Sequence, residues 1–237
     1  MPNRGYVYVA SCNKAYYKAA KISAQSLLDF YPEANITLFT HASWVEEEDH
    51  KIFQHIITED VPVHIRAKLW ALSKTPYDET LYIDCDTMIQ DDEISLVFDH
   101  LGDNDILFTR NRPYNAKITK LSETEEMIYH CGLVLYRKNE KTCKLMNDWY
   151  EGYLEQTAPD YDNSPYPDEA VKWDTFTMWR LLNKKPHSLK VGEFPKPDAK
   201  WNFVIGYSEE ELGQEDCIIF HYTIAQEEIA LGEIYSA

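Results

Sequence analysis

Two carboxylates, Asp84 and Asp86, stand where the apolar run Leu81-Tyr-Ile83 gives way to a polar turn in Tyr82-Ile83-Asp84-Cys85-Asp86-Thr87. In an extended backbone, positions i and i+2 face the same side, so both acids can approach one ion. Hard divalent cations want oxygen ligands, and Mg²⁺ or Mn²⁺ commonly binds one or two carboxylates together with a substrate's phosphates. In a chain this acidic, two solvated loop acids are the plain alternative. Arg66 and Lys68 sit on a predicted helix upstream. They read either as surface cations or as groups aimed at a diphosphate, Arg through a fork of hydrogen bonds and Lys as a point charge.

Three further places could carry chemistry. Arg110, Arg112, Lys117 and Lys120 form a basic island with no acid between them. It reads as a solvated loop, or as a lid or acceptor contact just after a strand. Asp168 and Glu169 open a predicted helix, where acids meet the dipole favourably. The functional alternative puts one of them beside a reacting group as a base or a hydroxyl clamp. Trp173 and Asp174 follow on the same segment. An indole there serves equally as core packing or as a platform for a sugar ring. His221 ends the apolar run Cys217-Ile-Ile-Phe220, where a histidine is first of all a packed, hydrogen-bonded residue.

Alternating strands and helices must position these residues. The β-prone run Tyr6–Ala10 ends at Ser11-Cys12-Asn13, and a helix is predicted from Asn13 to about Phe30, stopped by Pro32. Strands are expected at Ile36–Thr40, His55–Thr58, Leu81–Asp84, Ile106–Thr109 and Gly132–Tyr136. Helices are expected from about Trp44, over Ile65–Ser73, over about Asn139–Glu155 and over about Asp168–Leu182. Such repeated βα units predict an α/β sandwich around a central, mainly parallel sheet flanked by helices. Ligands of these sheets bind beyond the carboxyl ends of the strands, where Asp84 falls.

The 237 residues suit a single domain, and 40 acidic against 23 basic side chains give a net charge of −17. That argues against general binding to nucleic acid or to an anionic membrane, both of which need a basic footprint. With 44% hydrophobic and 14% aromatic residues the chain is nonetheless able to build a core. No uncharged apolar run approaches the roughly 18 residues of a membrane span. Five scattered cysteines without a CxxC pair point to reduced thiols and a cytoplasmic setting.

The acidic turn resembles the Asp-x-Asp motif of nucleotide-sugar glycosyltransferases of the GT-A (Rossmann-like) fold, family 8 in particular. Other segments match in order. Ala10, Cys12 and Asn13 fall where the family's first loop holds the nucleotide base. Arg66-Ala-Lys68-Leu-Trp-Ala-Leu72 resembles its basic helix, and Cys131-Gly132-Leu-Val-Leu-Tyr136 the strand that builds part of the donor pocket. Phe220-His221-Tyr-Thr223 resembles the late histidine motif. The resemblance implies a nucleotide-binding half over about 1–90 and an acceptor half over about 91–237. It implies Mn²⁺ or Mg²⁺ held by Asp84, Asp86 and His221, with Asp84 and Cys85 also against the donor. It further implies transfer from a nucleoside-diphosphate sugar, UDP first, to an unknown acceptor with retention of configuration. Asp168-Glu169 takes the place of the family's Asp-Gln, as the candidate catalytic pair. The glycine and lysine that often follow the late histidine are replaced by Ile224-Ala225-Gln226.

Two rivals remain at this stage. Asp84-x-Asp86-x-Thr87 after a hydrophobic strand also fits the haloacid-dehalogenase-type phosphatases, with Asp84 as nucleophile. A non-catalytic nucleotide-sugar binding protein on the same fold is the other.

Overall fold

The computed structural model describes residues 2–111, 119–185 and 187–235. Its centre is a seven-stranded sheet in the order β3-β2-β1-β4-β7-β6-β8. These strands are β1 (Arg4–Ala10), β2 (Ile36–Thr40), β3 (His55–Ile57), β4 (Glu79–Ile83), β6 (Ile106–Arg110), β7 (Tyr129–Arg137) and β8 (Val191–Glu193). All neighbouring pairs run parallel except those of β7, which is antiparallel to both β4 and β6. The expected mainly parallel α/β sheet is therefore present.

Alternation along the strands divides the core between two faces. Tyr6, Tyr8, Leu81, Ile83, Leu133 and Leu135 join one apolar cluster, while Val7, Tyr82, Val134 and Tyr136 join the other. That is the period of two that a strand imposes, with both faces buried as parallel sheets require. Helix α1 (Lys14–Phe30) covers the first face through Ala20, Ala24 and Leu27. The other face packs on α2 (Ala67–Ala71), α3 (Glu140–Gln156) and α4 (Asp174–Lys184) through Leu69, Trp149 and Met178.

A second sheet is built from three short strands, in the order β5-β10-β9. β5 (Thr87–Ile89) leaves the acidic turn directly and pairs antiparallel with β10 (Ile219–His221), placing His221 opposite Thr87. β9 (Phe203–Val204) lies parallel on the far side of β10, and the short α5 (Gln226–Leu231) follows. None of these strands exceeds three residues, too few to show alternation in a sequence.

Two predicted helices differ from those observed. The region from Trp44 forms separate 3₁₀ turns, Ala42–Trp44 and Glu47–Lys51, because it lacks a continuous apolar stripe. The helix expected from Asp168 begins only at Asp174. Gln156 Nε2 donates to the carbonyls of Val171 and Trp173, at 2.9 and 3.1 Å, and Trp173 is extended at φ −95°, ψ 143°. The Val171 carbonyl is taken by a side chain rather than by a next helical turn, while the Trp173 carbonyl also accepts from the Phe176 N–H at 3.1 Å and opens α4.

Among the described residues, no helix is long and apolar enough to cross a membrane. Gly5 is the tightest point of the core, since a Cβ there would lie 2.1 to 2.3 Å from the buried Tyr77 ring. Tyr77 cannot swing away freely because its hydroxyl accepts a hydrogen bond from Thr37 at 2.9 Å. Gly5→Ala is expected to lower stability by about 2 kcal/mol, an overpacking cost, read from urea midpoints. A variant as stable as wild type would contradict this packing.

Candidate active site

The carboxyl edge of the large sheet collects the chemistry. β1 ends at Ala10, β4 hands over to Asp84, and β7, running the other way, begins there with Tyr129 to Gly132. The Asp84 amide donates to the Gly132 carbonyl at 2.8 Å, so the acidic turn starts from a fixed backbone. Thr87 Oγ1 then donates to the Asp84 carbonyl at 2.9 Å and shares a 2.7 Å hydrogen bond with Ser23 of α1, closing the turn.

Asp84, Asp86 and His221 each offer one ligand atom, and these atoms lie within 4.8 Å of one another. His221 Nε2 is 3.3 Å from Asp86 Oδ1. Two carboxylates and one imidazole form a donor set suited to Mn²⁺ and acceptable to Mg²⁺. Asp84 is also held on its other side. Its Oδ1 accepts from the Tyr82 hydroxyl and from Lys68 Nζ, the latter at 3.2 Å. Burial alone would raise its pKa, but Lys68, His221 and the Tyr82 hydroxyl outweigh burial and bring it down to about 2.

Lys68, only 7% exposed, is the hub of a charge cluster that the sequence only half revealed. Its Nζ lies 3.2 Å from Asp84 and 3.0 Å from Asp174, and donates to the Cys131 carbonyl at 3.0 Å. Burial would lower its pKa, yet Asp174 and Asp84 more than reverse that, so it stays charged. Arg66 reaches Asp174 at 3.5 Å and lies under the Trp173 indole, 5.4 Å from the ring centre. Asp174 is 2% exposed and is fixed from behind by Trp149, whose Nε1 donates to its carbonyl at 2.9 Å. As the first residue of α4, it also meets the positive end of that helix.

Two adjoining cavities open on this cluster. A larger one, about 370 Å³, is lined by Ala10, Cys12, Cys85, Asp86 and His221, with Tyr16 of α1 at its side. A smaller one, about 110 Å³, is lined by Cys131, Gly132, Asp174 and Thr175. Arg66, Lys68, Asp84, His130 and Trp173 line both. Trp173 is 41% exposed, so its place is at the junction of the cavities rather than in the core.

The sequence-predicted residues thus gather with few exceptions. Asn13 lines neither cavity; its Oδ1 caps α1 at Ala15 and its Nδ2 donates to the Ile229 carbonyl at 2.9 Å. Asp168 and Glu169 are exposed and line neither cavity, and Glu169 pairs with Lys172 at 3.1 Å. Arg110 pairs with Glu193 at 3.1 Å, Lys120 is exposed, and Arg112 and Lys117 lie outside the described residues. Asp174, named with Trp173 in the sequence, lines the smaller cavity; its ion pairs with Lys68 and Arg66, and the roles of His130 and Asn202, escaped the sequence. His130 precedes Cys131-Gly132, and that adjacency was the available signal for it. The phosphatase reading finds no support, because the turn is completed by His221 rather than by a second acidic pair.

Gly132 is required by this geometry, since a Cβ would fall 2.6 Å from Asp84 Oδ2 and 2.5 Å from His130 Cε1. If the Asp84–Asp86–His221 group holds Mn²⁺, Gly132→Ala is expected to weaken its binding about tenfold or more, measured by titration calorimetry, because it displaces the Asp84 carboxylate. Unchanged Mn²⁺ affinity in this variant would contradict the assignment of Asp84 as a ligand.

No protein-family model matches the sequence, and no curated protein matches it. Solved structures do. The chain is similar to the glycosyltransferase GlyE in Streptococcus pneumoniae TIGR4, at 16% identity and a TM-score of 0.62. That match covers 94% of this chain and 55% of GlyE, so the chain spans about half of that protein's length. It is also similar to an active-site mutant of LgtC, at 16% identity and TM-score 0.53, over 93% of this chain and 88% of the other. A third match is a glycosyltransferase involved in the glycosylation of the major capsid of PBCV-1. It has 11% identity and TM-score 0.53, over 93% and 92% of the two chains. The fold is the GT-A glycosyltransferase fold.

Proposed function

We propose that this chain is a metal-dependent glycosyltransferase that moves a sugar from a nucleoside-diphosphate donor, UDP sugars first among them, to an acceptor, with retention. One observation carries the reading: the Asp84–Asp86–His221 group sits in the wall of the larger of two adjoining cavities. The nucleotide would occupy that cavity, on residues mostly from the half spanning about 1–90. The sugar would occupy the smaller one, beside Asp174.

A divalent ion on Asp84, Asp86 and His221 would act as a Lewis acid, neutralising the charge that grows on the departing diphosphate. The chain's own residues do the rest. Lys68 and Arg66 keep Asp174 ionised at the wall of the sugar cavity, where it can hold a hydroxyl of the transferred sugar. Trp173 offers its exposed indole face at the junction, where an acceptor ring can stack. Asp168 and Glu169, expected as the catalytic pair, yield that place in the proposal to the buried Asp174.

The local charge balance supports a need for the ion. Among the described residues, the lysine and arginine side chains that Asp84 and Asp174 face are Lys68 and Arg66, both already paired, while Asp86 faces His221. A diphosphate entering this site meets net negative charge until a divalent cation is present. The test is slow hydrolysis of UDP sugars without acceptor, followed with and without Mn²⁺. Metal-dependent release of free sugar is expected. Tight binding of the donor with no hydrolysis would point instead to a binding protein.

A pH dependence follows from His221. Burial would lower its pKa, but Asp86 and Asp84 outweigh burial and raise it above the ordinary value. A proton therefore competes with the ion to higher pH than at a free histidine. Mn²⁺ affinity should fall as pH drops through that raised pKa, by about tenfold per pH unit below it. An affinity flat between about pH 5.5 and pH 8 would contradict His221 as a ligand.

A further inference from the structure

We propose that Asn202 is a positioning residue that sets the tautomer of His221, so that the Nε2 lone pair faces the ion; the functional part of this proposal rests on the metal site above. Asn202 lies just before β9 and is 1% exposed. It sits between two imidazoles whose rings meet edge to face, 5.5 Å apart, His130 of β7 and His221 of β10.

The assignment begins at a backbone group. The Gly132 N–H donates to His130 Nδ1 at 3.1 Å, so that nitrogen offers its lone pair. Asn202 approaches the same nitrogen at 3.0 Å and must therefore present its NH₂ there. The same NH₂ reaches Thr109 Oγ1 of β6 at 3.2 Å, and a hydroxyl accepts as readily as it donates. The amide oxygen is then left for His221 Nδ1, 3.0 Å away. An oxygen accepts, so the His221 proton is on Nδ1 and its Nε2 lone pair points at Asp86 Oδ1, 3.3 Å off. A lone pair opposite a carboxylate at that distance calls for a cation between them, or a proton.

Turning the Asn202 amide over would set its oxygen against the His130 lone pair that the Gly132 N–H engages. The observed orientation is the one compatible with the Gly132 hydrogen bond to His130, and in a buried site a lost partner costs about 1–3 kcal/mol. Gly132 thereby references two ligands at once. Its carbonyl fixes the backbone of Asp84, and its N–H starts the chain that orients His221. Such partners of ligating histidines typically change metal affinity by about 10–100-fold when removed.

The experiment reads the tautomer and the metal separately. Histidine-labelled apo protein is observed by ¹⁵N NMR at a pH where His221 is neutral, and Mn²⁺ affinity is measured by calorimetry. Wild type should show His221 protonated on Nδ1. Asn202→Leu, which neither accepts nor donates, should give mixed tautomers and bind Mn²⁺ about 10–100-fold more weakly. Asn202→Asp can still accept from His221, so it should retain the Nδ1–H tautomer and bind Mn²⁺ at least as well as wild type. This second variant and the wild-type spectrum decide the matter if Asn202→Leu fails to fold. A wild-type His221 protonated on Nε2, or wild-type Mn²⁺ affinity in Asn202→Leu, would overturn the proposal. A wild type with the Nδ1–H tautomer that binds no Mn²⁺ would uphold the tautomer and overturn the metal site.

Discussion

Asp86→Asn is expected to cut sugar transfer by about 10³-fold or more while leaving the fold intact. The effect is large because the substitution removes an anionic ligand without changing shape, and a bound metal contributes several kcal/mol, each ~1.4 kcal/mol being tenfold in rate. Stability should hold because Asp86 is half-buried and its side chain is paired only with His221 among the described residues. Losing such a partly exposed pair costs at most about 1 kcal/mol. Asp84 is a poorer choice for this test. Its carboxylate also answers Lys68 and Tyr82, so its removal mixes metal loss with unfolding. Transfer by Asp86→Asn within tenfold of wild type, at saturating Mn²⁺, would contradict the metal site.

Lys68→Met should be the most destabilising single change in the site. The ammonium is buried against Asp84 and Asp174 at 3.2 and 3.0 Å, and its loss leaves the buried Asp174 facing the half-buried Asp84, with Arg66 as the remaining arginine or lysine beside them among the described residues. Breaking a buried ion pair by removing one partner costs about 3–5 kcal/mol. For a chain of this size that corresponds to a fall in Tm of roughly 10 °C. Asp174→Asn in the Lys68→Met background should restore part of the loss, because the two positions are coupled. The acid limb should change as well. Asp84 is held at about 2, below the ~3.9 of an unfolded aspartate, so its stabilisation is present above about pH 4 and fades as pH falls toward 2. In Lys68→Met much of that contribution is absent at every pH, and stability should vary less between pH 4 and pH 2. A Lys68→Met protein within 1 kcal/mol of wild type would refute the cluster as drawn.

Long local patterns were legible in the sequence and long-range ones were not. β1, β2, β4 and α1 lie where apolar runs and Pro32 indicated, because periodicity and breakers act within a few residues. Asp84 and Asp86 were visible as a pair at a strand end for the same reason. His221 required a resemblance, since what joins it to Asp86 is the pairing of two three-residue strands far apart in the chain. Asp174 was named beside Trp173, but its place at a helix start and its pairs with Lys68 and Arg66 were not legible. The sequence put the helix start at Asp168, but Gln156 holds the carbonyls of Val171 and Trp173 and delays the helix to Asp174. Lys68 and Arg66 were expected to face the donor directly. Lys68 also pairs with Asp84 and Asp174, and Arg66 with Asp174, and under the proposed function this leaves the task of meeting a diphosphate largely to the metal.

That shift makes a chain of net charge −17 a demanding host for an anionic donor, and calorimetry of UDP binding tests the account most directly. UDP titrated into the protein with millimolar Mn²⁺ should bind, and the same titration with the metal chelated should show binding at least tenfold weaker or none. No binding of UDP or GDP with Mn²⁺ present, or an affinity indifferent to the metal, would contradict the site built on Asp84, Asp86 and His221.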